Sequence, residues 1–266
     1  MTAIAVTIAG SDSGGGAGIQ ADIKTFSALR VYGASVITAL TAQNTMGVQG
    51  IHDVPPDFVA QQIDSVFSDL DVRAVKIGML SQSAVIEAVA AGLWRYDQTQ
   101  VVLDPVMVAA SGDRLLAPEA VDALRRALFP RALLVTPNLM EAAALLDESP
   151  AEDERTMCRQ AERILAFGPK AVLVKGGHGS GRESTDILMD AQGMRRFSAP
   201  RIETRNTHGT GCTLSAAIAA GLAKSFPLAD AVAAGKDFIS AAIGASPHLH
   251  VGRGHGPVHH FHALWS

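Results

Sequence analysis

Cysteine is nearly missing from this 266-residue sequence: it has two, Cys158 and Cys212, too few and too widely separated for a disulfide framework or a cysteine metal site. That usage is the one expected of a protein kept in a reducing cytoplasm. Basic residues are not in excess. The formal net charge is −4, so nucleic-acid binding driven by phosphate neutralisation has no support, although a small basic cluster for one anionic ligand is compatible with it. No apolar run approaches the roughly 18 residues of a membrane span, so no membrane partner is expected. The N-terminal MTAIAVTIAGSDS lacks the positive stretch and cleavage segment of a signal peptide. No internal repeat is visible. What is there is 48% hydrophobic and 18% charged, suited to one large α/β domain over residues 1–266 whose core needs no staples.

Apolar runs alternate with stretches of helical period. AIAVTIAG, SVITALTAQ, VRAVKIG, VVLDP, ALLVTP and KAVLVKGG read as strands, and TDILMD and GMRRFSA as an antiparallel pair turning at Ala-Gln-Gly. Between them GIQADIKTFSAL, PPDFVAQQIDSVFSDL, SAVIEAVAAGLWRY, PEAVDALRRALF, NLMEAAALL and MCRQAERILAFG read as helices. TLSAAIAAGLA and LADAVAAGKDFISAAIGA close the helical part. In the first helix Ile19, Ile23, Phe26 and Leu29 share one face. DESPAEDER, 147–155, reads as a surface loop. The alternation predicts a mostly parallel sheet covered by helices on both faces, with ligands at the carboxyl ends of the strands.

Two glycine-rich stretches carry the chemistry. AGSDSGGGAGIQAD places five glycines within nine residues where a strand enters a helix. It is not a Walker A loop, because no Gly-Lys-Ser/Thr follows. The loose dinucleotide pattern in it lacks its acidic partner, since residues 36 to 46 contain none. A tight turn without a ligand is the plain alternative, but so many glycines are costly in chain entropy, which favours a functional loop. The second stretch is NTHGTGCTLSAAIAAGLA, 206–223. Gly209, Thr210 and Gly211 stand at a helix start, where backbone N–H groups lack intrahelical partners and the polarised end suits an anion. Leu214, Ala217, Ile218, Gly221 and Leu222 anchor that helix. Its field is expected to lower the pKa of Cys212 and make thiolate available.

TIAGSDSGGGAGIQADIKTFSAL, VITALTAQNTMGVQGIHDVPPDFVAQQ, VKIGMLS, VVLDPVMVAASGDRLL, LVTPNLMEAAALL, AVLVKGGH and RNTHGTGCTLSAAIAA, taken in order, resemble the hydroxymethylpyrimidine/phosphomethylpyrimidine kinases of thiamine biosynthesis. These belong to the pyridoxal-kinase branch of the ribokinase-like superfamily. The likeness runs through the ending GPVHHFHALW. It implies a three-layer ribokinase-like sandwich that moves the γ-phosphate of ATP to the hydroxymethyl group of a pyrimidine, and then phosphorylates the monophosphate in the same site. No appended thiamine-phosphate synthase domain is expected.

Residue by residue, the resemblance places Cys212 where an aspartate base stands in the wider superfamily. Gly209, Thr210 and Gly211 form the anion hole, and Lys175 is a charge partner of the transferred phosphate. Gln43 would hydrogen-bond the pyrimidine, an amide offering both donor and acceptor. Gly10 and Val106 would line its pocket. Asp22 is either a substrate contact or a solvated helix charge. Asn138 and Thr207 fall to the nucleotide. Asp104 and Glu141 would hold Mg²⁺, a hard cation that keeps much of its water. A homodimer follows only from the likeness to relatives.

Where many relatives read Ser-Asp-Pro-Ser-Gly-Gly, this chain reads Ser-Asp-Ser-Gly-Gly-Gly, and Ala110 replaces a common lysine or threonine. Two rivals stand beside the pyrimidine kinase: a pyridoxal or pyridoxine kinase, and a sensor that binds the pyrimidine without turnover. Six histidines of the tail, His248, His250, His255, His259, His260 and His262, read as surface residues without metal partners. His208 reads either as an aid to the anion hole or as structural. Trp94 and Trp265 read as packing residues.

Overall fold

The computed structural model describes residues 2–107, 118–177 and 181–265. Ala110 lies outside them. One nine-stranded sheet organises the chain, in the order β3-β2-β1-β4-β5-β6-β7-β8-β9. Its strands are β1 (Ile4–Asp12), β2 (Tyr32–Asn44), β3 (Gly47–Asp53), β4 (Ala74–Ile77), β5 (Val101–Leu103), β6 (Leu134–Val135), β7 (Ala171–Lys175), β8 (Glu183–Asp190) and β9 (Gly193–Pro200). From β2 to β7 the neighbours are parallel; β3 at one edge runs antiparallel to β2, and at the other edge β8 runs antiparallel to both β7 and β9.

Strand alternation divides the core in two. Val6, Ile8, Val75, Ile77 and Leu103 face the layer made by α2 (Pro56–Phe67), α3 (Ser83–Arg95), α4 (Pro118–Ala123), α5 (Leu139–Leu146) and α6 (Glu154–Leu165). Ala5, Ala74, Val102, Leu134 and Leu173 face α1 (Gly18–Ala28), α7 (Thr210–Ala223) and α8 (Leu228–Gly244). The result is the three-layer α/β/α sandwich that the sequence pattern predicts.

Small residues on the second face let α7 lie close to the sheet. Every α7 residue from Thr213 to Ala223 is buried, so it is a central helix rather than one with a single buried stripe. Its crossing with α8 is equally close, since a Cβ at Gly235 would press on Ile218 and one at Gly221 on Ala231. A helix gripped on all sides holds its N-terminus in a fixed place.

Some expectations need correction. GVQGIHD forms β3, unannounced by its weak alternation. The helix expected over 118–129 is α4 for one and a half turns, then a wider π-type turn over Leu124–Leu128 and a 3-10 turn at Phe129–Arg131. Trp94 and Trp265 are 70% and 58% exposed: Arg131 stacks on the first, while Phe261 and His259 flank the second. Among the described residues no helix is long and apolar enough to cross a membrane.

Candidate active site

The two glycine stretches meet. Gly209, the residue before α7, has φ +77°, and a Cβ there would overlap the carbonyl oxygen of Gly16. Gly18 opens α1 with φ +55°, packed against the carbonyl of Gly10. Only glycine meets both demands, of conformation and of space. Gly10 lies where the pairing of β1 with β2 shifts between Ala9 and Ser11, and the Met79 sulfur covers its open side.

The first loop does not leave its amides free. Asp12 accepts N–H bonds from Gly14 (2.8 Å), Gly16 (3.0 Å) and Ala17 (2.8 Å), so the loop's first anion is its own carboxylate. His208 Nε2 adds a fourth contact, 3.0 Å from Asp12 Oδ2, and lies 3.4 Å from the Gln43 amide. Burial pushes the Asp12 carboxyl upward, but His208 and the backbone N–H groups hold it below the usual carboxylate range. His208 thus ties the loop to the entrance of α7.

Behind that entrance lies a buried row of charge. Period-2 alternation puts Thr7, Lys76, Asp104, Thr136 and Lys175 on one face of five neighbouring strands, Thr7 midway along β1 and the other four near or just past the carboxyl ends of theirs. Lys175 Nζ is 2.7 Å from Asp104 Oδ1 and 3.9 Å from Glu141 Oε2. Thr136 donates to Asp104 at 3.1 Å and Ser215 of α7 at 3.3 Å. A Cβ on Gly211 would stand 3.1 Å from the Lys175 ammonium, so the first turn of α7 sits directly on that cation. Deeper still, Lys76 pairs with Asp22 at 2.8 Å, both with fully buried side chains, and Thr7 donates to the same Asp22 oxygen at 2.6 Å.

Burial drives the Asp104 carboxyl up, yet Lys175 and Lys76 outweigh it and its pKa ends below the usual value. Glu141 goes the other way, to about 7: burial raises it, and Asp104 adds to the rise against the pull of Lys175. Lys175 is raised, because Asp104 and Glu141 overcome its burial.

The expectation for Cys212 is overturned. Burial pushes its thiol up to about 11, Asp22 and Asp104 add to the rise, and the help of Lys76 and of the Gly18 N–H does not offset them. Without ligands Cys212 is a thiol, not a thiolate.

The other sequence-derived residues fall as follows. Asp22 is no solvated helix charge; it is wholly buried beneath the pocket, engaged by Lys76 and Thr7. Asn138 and Glu141 form a capping box at the start of α5, so the Asn138 side-chain oxygen Oδ1 is occupied by the Glu141 N–H at 2.9 Å. Thr207 is exposed, and its carbonyl takes the Thr210 hydroxyl and N–H. Val106 is half-buried in the turn after Asp104, its N–H on the Asp104 carbonyl at 2.8 Å. Of the tail histidines His260 is buried and His259 and His262 half-buried, so these three are not surface residues. Sequence reasoning missed Lys76, Asp12 and Met79. A lysine inside the apolar run AVKIG was the available signal, being costly to bury unpaired.

This geometry meets known proteins in one place. The family model described as phosphomethylpyrimidine kinase matches residues 12–259, from the glycine-loop aspartate to the tail histidines. The chain belongs to the phosphomethylpyrimidine kinase family. A hydroxymethylpyrimidine/phosphomethylpyrimidine kinase of Rhizobium meliloti (strain 1021) is 63% identical over 265 residues, 100% of this chain and 99% of that one. Among solved structures, an ADP complex of Bacillus subtilis pyridoxal kinase superposes with TM-score 0.92 at 36% identity, covering 100% of both chains. The phosphomethylpyrimidine kinase of Clostridium difficile 630 gives TM-score 0.80 at 44% identity, covering 90% of this chain and 99% of that one. Shape alone therefore slightly favours the pyridoxal enzyme, while identity favours the pyrimidine enzymes. Because one fold hosts several activities, the family match and the full-length identity decide between them. In this kinase Lys175 and Asp104 lie together against the Gly-Thr-Gly-Cys turn.

Proposed function

We propose that this kinase phosphorylates the hydroxymethyl group of 4-amino-5-hydroxymethyl-2-methylpyrimidine with ATP, and then the monophosphate to the diphosphate, in one site. The observation that carries this reading is the Lys175 ammonium held against Gly211 at the start of α7. A cation and a polarised helix end converge there on one point, and phosphoryl transfer needs chiefly that: charge neutralisation and alignment.

The α7 entrance would receive the migrating phosphoryl group, with Lys175 neutralising its oxygens from below. Gln43, Gly10, Met79 and Val106 would hold the ring. Cys212 would take the alcohol proton, and it does so as a late acceptor. A loose transition state leaves the alcohol little acidified until the phosphorus–oxygen bond forms, so the transfer to sulfur comes late; it runs through the small thiolate fraction, whose own proton has already gone to solvent. Asp22 and Lys76 would support Cys212 from beneath.

The donor set fits a hard divalent cation. Asp104 and Glu141 bring two carboxylates to the Lys175 ammonium, and burial, with Asp104 adding to it, raises Glu141 to about 7. Mg²⁺, when bound, would neutralise phosphate charge, with Asp104 and Glu141 holding it through retained water. Asn138 and Thr207 are proposed nucleotide contacts on the resemblance alone. So is the homodimer; the cytoplasmic setting rests on cysteine usage.

Incubation with ATP, Mg²⁺ and the pyrimidine, followed by mass detection, should yield first the monophosphate and then the diphosphate. Pyridoxal offered under the same conditions should turn over more slowly. Faster turnover of pyridoxal would transfer the assignment to the rival kinase, and binding of the pyrimidine without consumption of ATP would make the protein a sensor.

A further inference from the structure

One hydrogen on His208 decides how the pocket presents Gln43. His208 Nε2 lies 3.0 Å from Asp12 Oδ2 and 3.4 Å from the Gln43 amide group. Asp12 already accepts three backbone N–H bonds, and its carboxyl is held ionised, so it has no hydrogen to give. Nε2 must therefore carry the hydrogen. A nitrogen that donates cannot accept, so Gln43 must turn its carbonyl oxygen, and not its NH₂, toward His208.

The other end of the amide agrees. In the structure Gln43 turns its Nε2 toward His208 and its Oε1 toward Thr41 Oγ1; partner counting exchanges the two amide ends. Thr41 Oγ1 lies 3.0 Å from the amide and 2.9 Å from the Ser11 carbonyl. Its single hydrogen goes to Ser11, whose carbonyl can only accept. The hydroxyl is then left to accept from the Gln43 NH₂. Amide oxygen and nitrogen are told apart by such partner counting, and both ends give the same orientation.

His208 is itself held. Gly256 accepts its N–H at 3.0 Å, and Gly16 leaves room for the ring, since a Cβ at 16 would overlap His208 Cδ2. The Ser13 hydroxyl accepts the Gln43 backbone N–H at 2.8 Å, which fixes the base of that side chain.

We infer that His208, backed by Asp12, is a specificity-determining positioning residue: it locks the Gln43 amide so that the pocket offers one donor beside one acceptor, matched to an aminopyrimidine edge. This rests on Gln43 as the ring-binding residue proposed above. An exocyclic amine next to a ring nitrogen presents the complementary pair. A ring bearing a hydroxyl there can donate or accept, and it gains less from a locked amide.

Two measurements test it. NMR of the imidazole nitrogens in the ligand-free protein should show the His208 hydrogen on Nε2; a neutral ring protonated only at Nδ1 overturns the inference. In steady state, His208→Ala should raise KM for the pyrimidine about tenfold, the cost of one lost hydrogen-bonding arrangement, with KM for ATP within about twofold. His208→Gln, which can place an amide N–H where Nε2 stood, should return KM to within about threefold of the parent. Equal losses in the Ala and Gln variants would reduce His208 to packing and overturn the inference. Gln43→Ala separates the two levels. If it raises KM while His208→Ala does not, the inference alone fails; if Gln43→Ala leaves KM unchanged, the reading of Gln43 fails and takes the inference with it.

Discussion

Cys212 stands at the start of a helix and still holds its proton, and the competing effects can be ranked. The helix end and Lys76 favour the thiolate, but burial and the carboxylates of Asp22 and Asp104 raise the thiol to about 11. A base with so high a pKa is almost entirely protonated at pH 7, and its active fraction grows about tenfold with each pH unit below 11. The free enzyme's kcat/KM for the pyrimidine should therefore climb between pH 7 and 9, and the climb should vanish in Cys212→Ala. A flat parent profile, or the same slope in the variant, removes Cys212 as the base. Its substitution should keep the fold, because the side chain is only half-buried, and cost about 10²-fold in kcat, the low end for a positioned proton acceptor. A neighbour tests the phosphate end independently. The Cβ of Gly211→Ala would press on the Lys175 ammonium, which Asp104 holds at 2.7 Å. That ammonium must shift by a few tenths of an ångström, so kcat should fall about tenfold or more, in keeping with the sensitivity of transfer to alignment, with thermal stability nearly unchanged. Unaltered kcat in Gly211→Ala would place the phosphoryl group elsewhere.

At the scale of elements, the C-terminal segment acts as a clasp. It returns from α8 to the site: His255 N–H bonds the Thr45 carbonyl at 2.9 Å, Gly256 holds His208, and His260 Nε2 lies 3.0 Å from Thr213 Oγ1 in the first turns of α7. Burial lowers the His260 pKa to about 4, helped by the nearby positive charge of Lys24. The unfolded chain binds a proton there near 6.5 and the native one only near 4, so the unfolded state holds more protons in that window and stability must fall as pH drops through it. The loss from pH 6.5 to 4 is on the order of 3 kcal/mol. Urea titrations should show it in the parent and a clearly smaller loss in His260→Asn; equal losses would free the clasp of this role. Such an element is invisible in the sequence, where six histidines near one end look like solvated surface. Legibility followed locality. The parallel strands and their helices and the glycine-rich helix start announce themselves through period and composition, so the layers were readable; Lys175 came only from the family resemblance. Asp22 stood open between a substrate contact and a solvated helix charge, because its partner Lys76 lies 54 residues away and reaches it only once the sheet order is known. Asp12 looked like loop composition until its carboxylate was seen taking the loop's own N–H groups. β3 escaped notice because an edge strand with two glycines in seven residues needs little alternation.

For the molecule as a whole, the sandwich is asymmetric in a way that bears on how many sites it has. One face of the sheet is apolar to its ends. The other turns polar toward the carboxyl ends of the parallel strands, where Lys76, Asp104 and Lys175 are roofed by the entrance of α7. Among the described residues the pair Lys175–Asp104, with Glu141 beside it, lies against the first turn of α7 and the pair Lys76–Asp22 lies deeper in the same polar region; the third buried lysine–aspartate pair, Lys236 with Asp186, lies apart from that helix start. Two phosphorylations by this chain must then share it: the acceptor changes from alcohol to phosphate while the donor end stays the same. On the proposed roles Lys175 would serve the donor end, so Lys175→Met should depress both reactions by a similar factor. Cys212 would serve only the alcohol, because a phosphate monoester oxygen is already ionised and needs no base, so Cys212→Ala should depress the first reaction far more than the second. The pyrimidine and its monophosphate should also compete, each raising the apparent KM of the other. Measuring both rates in both variants gives a pattern that two separate sites would not produce. Loss of one activity with full survival of the other in Lys175→Met would require a second phosphate-binding end.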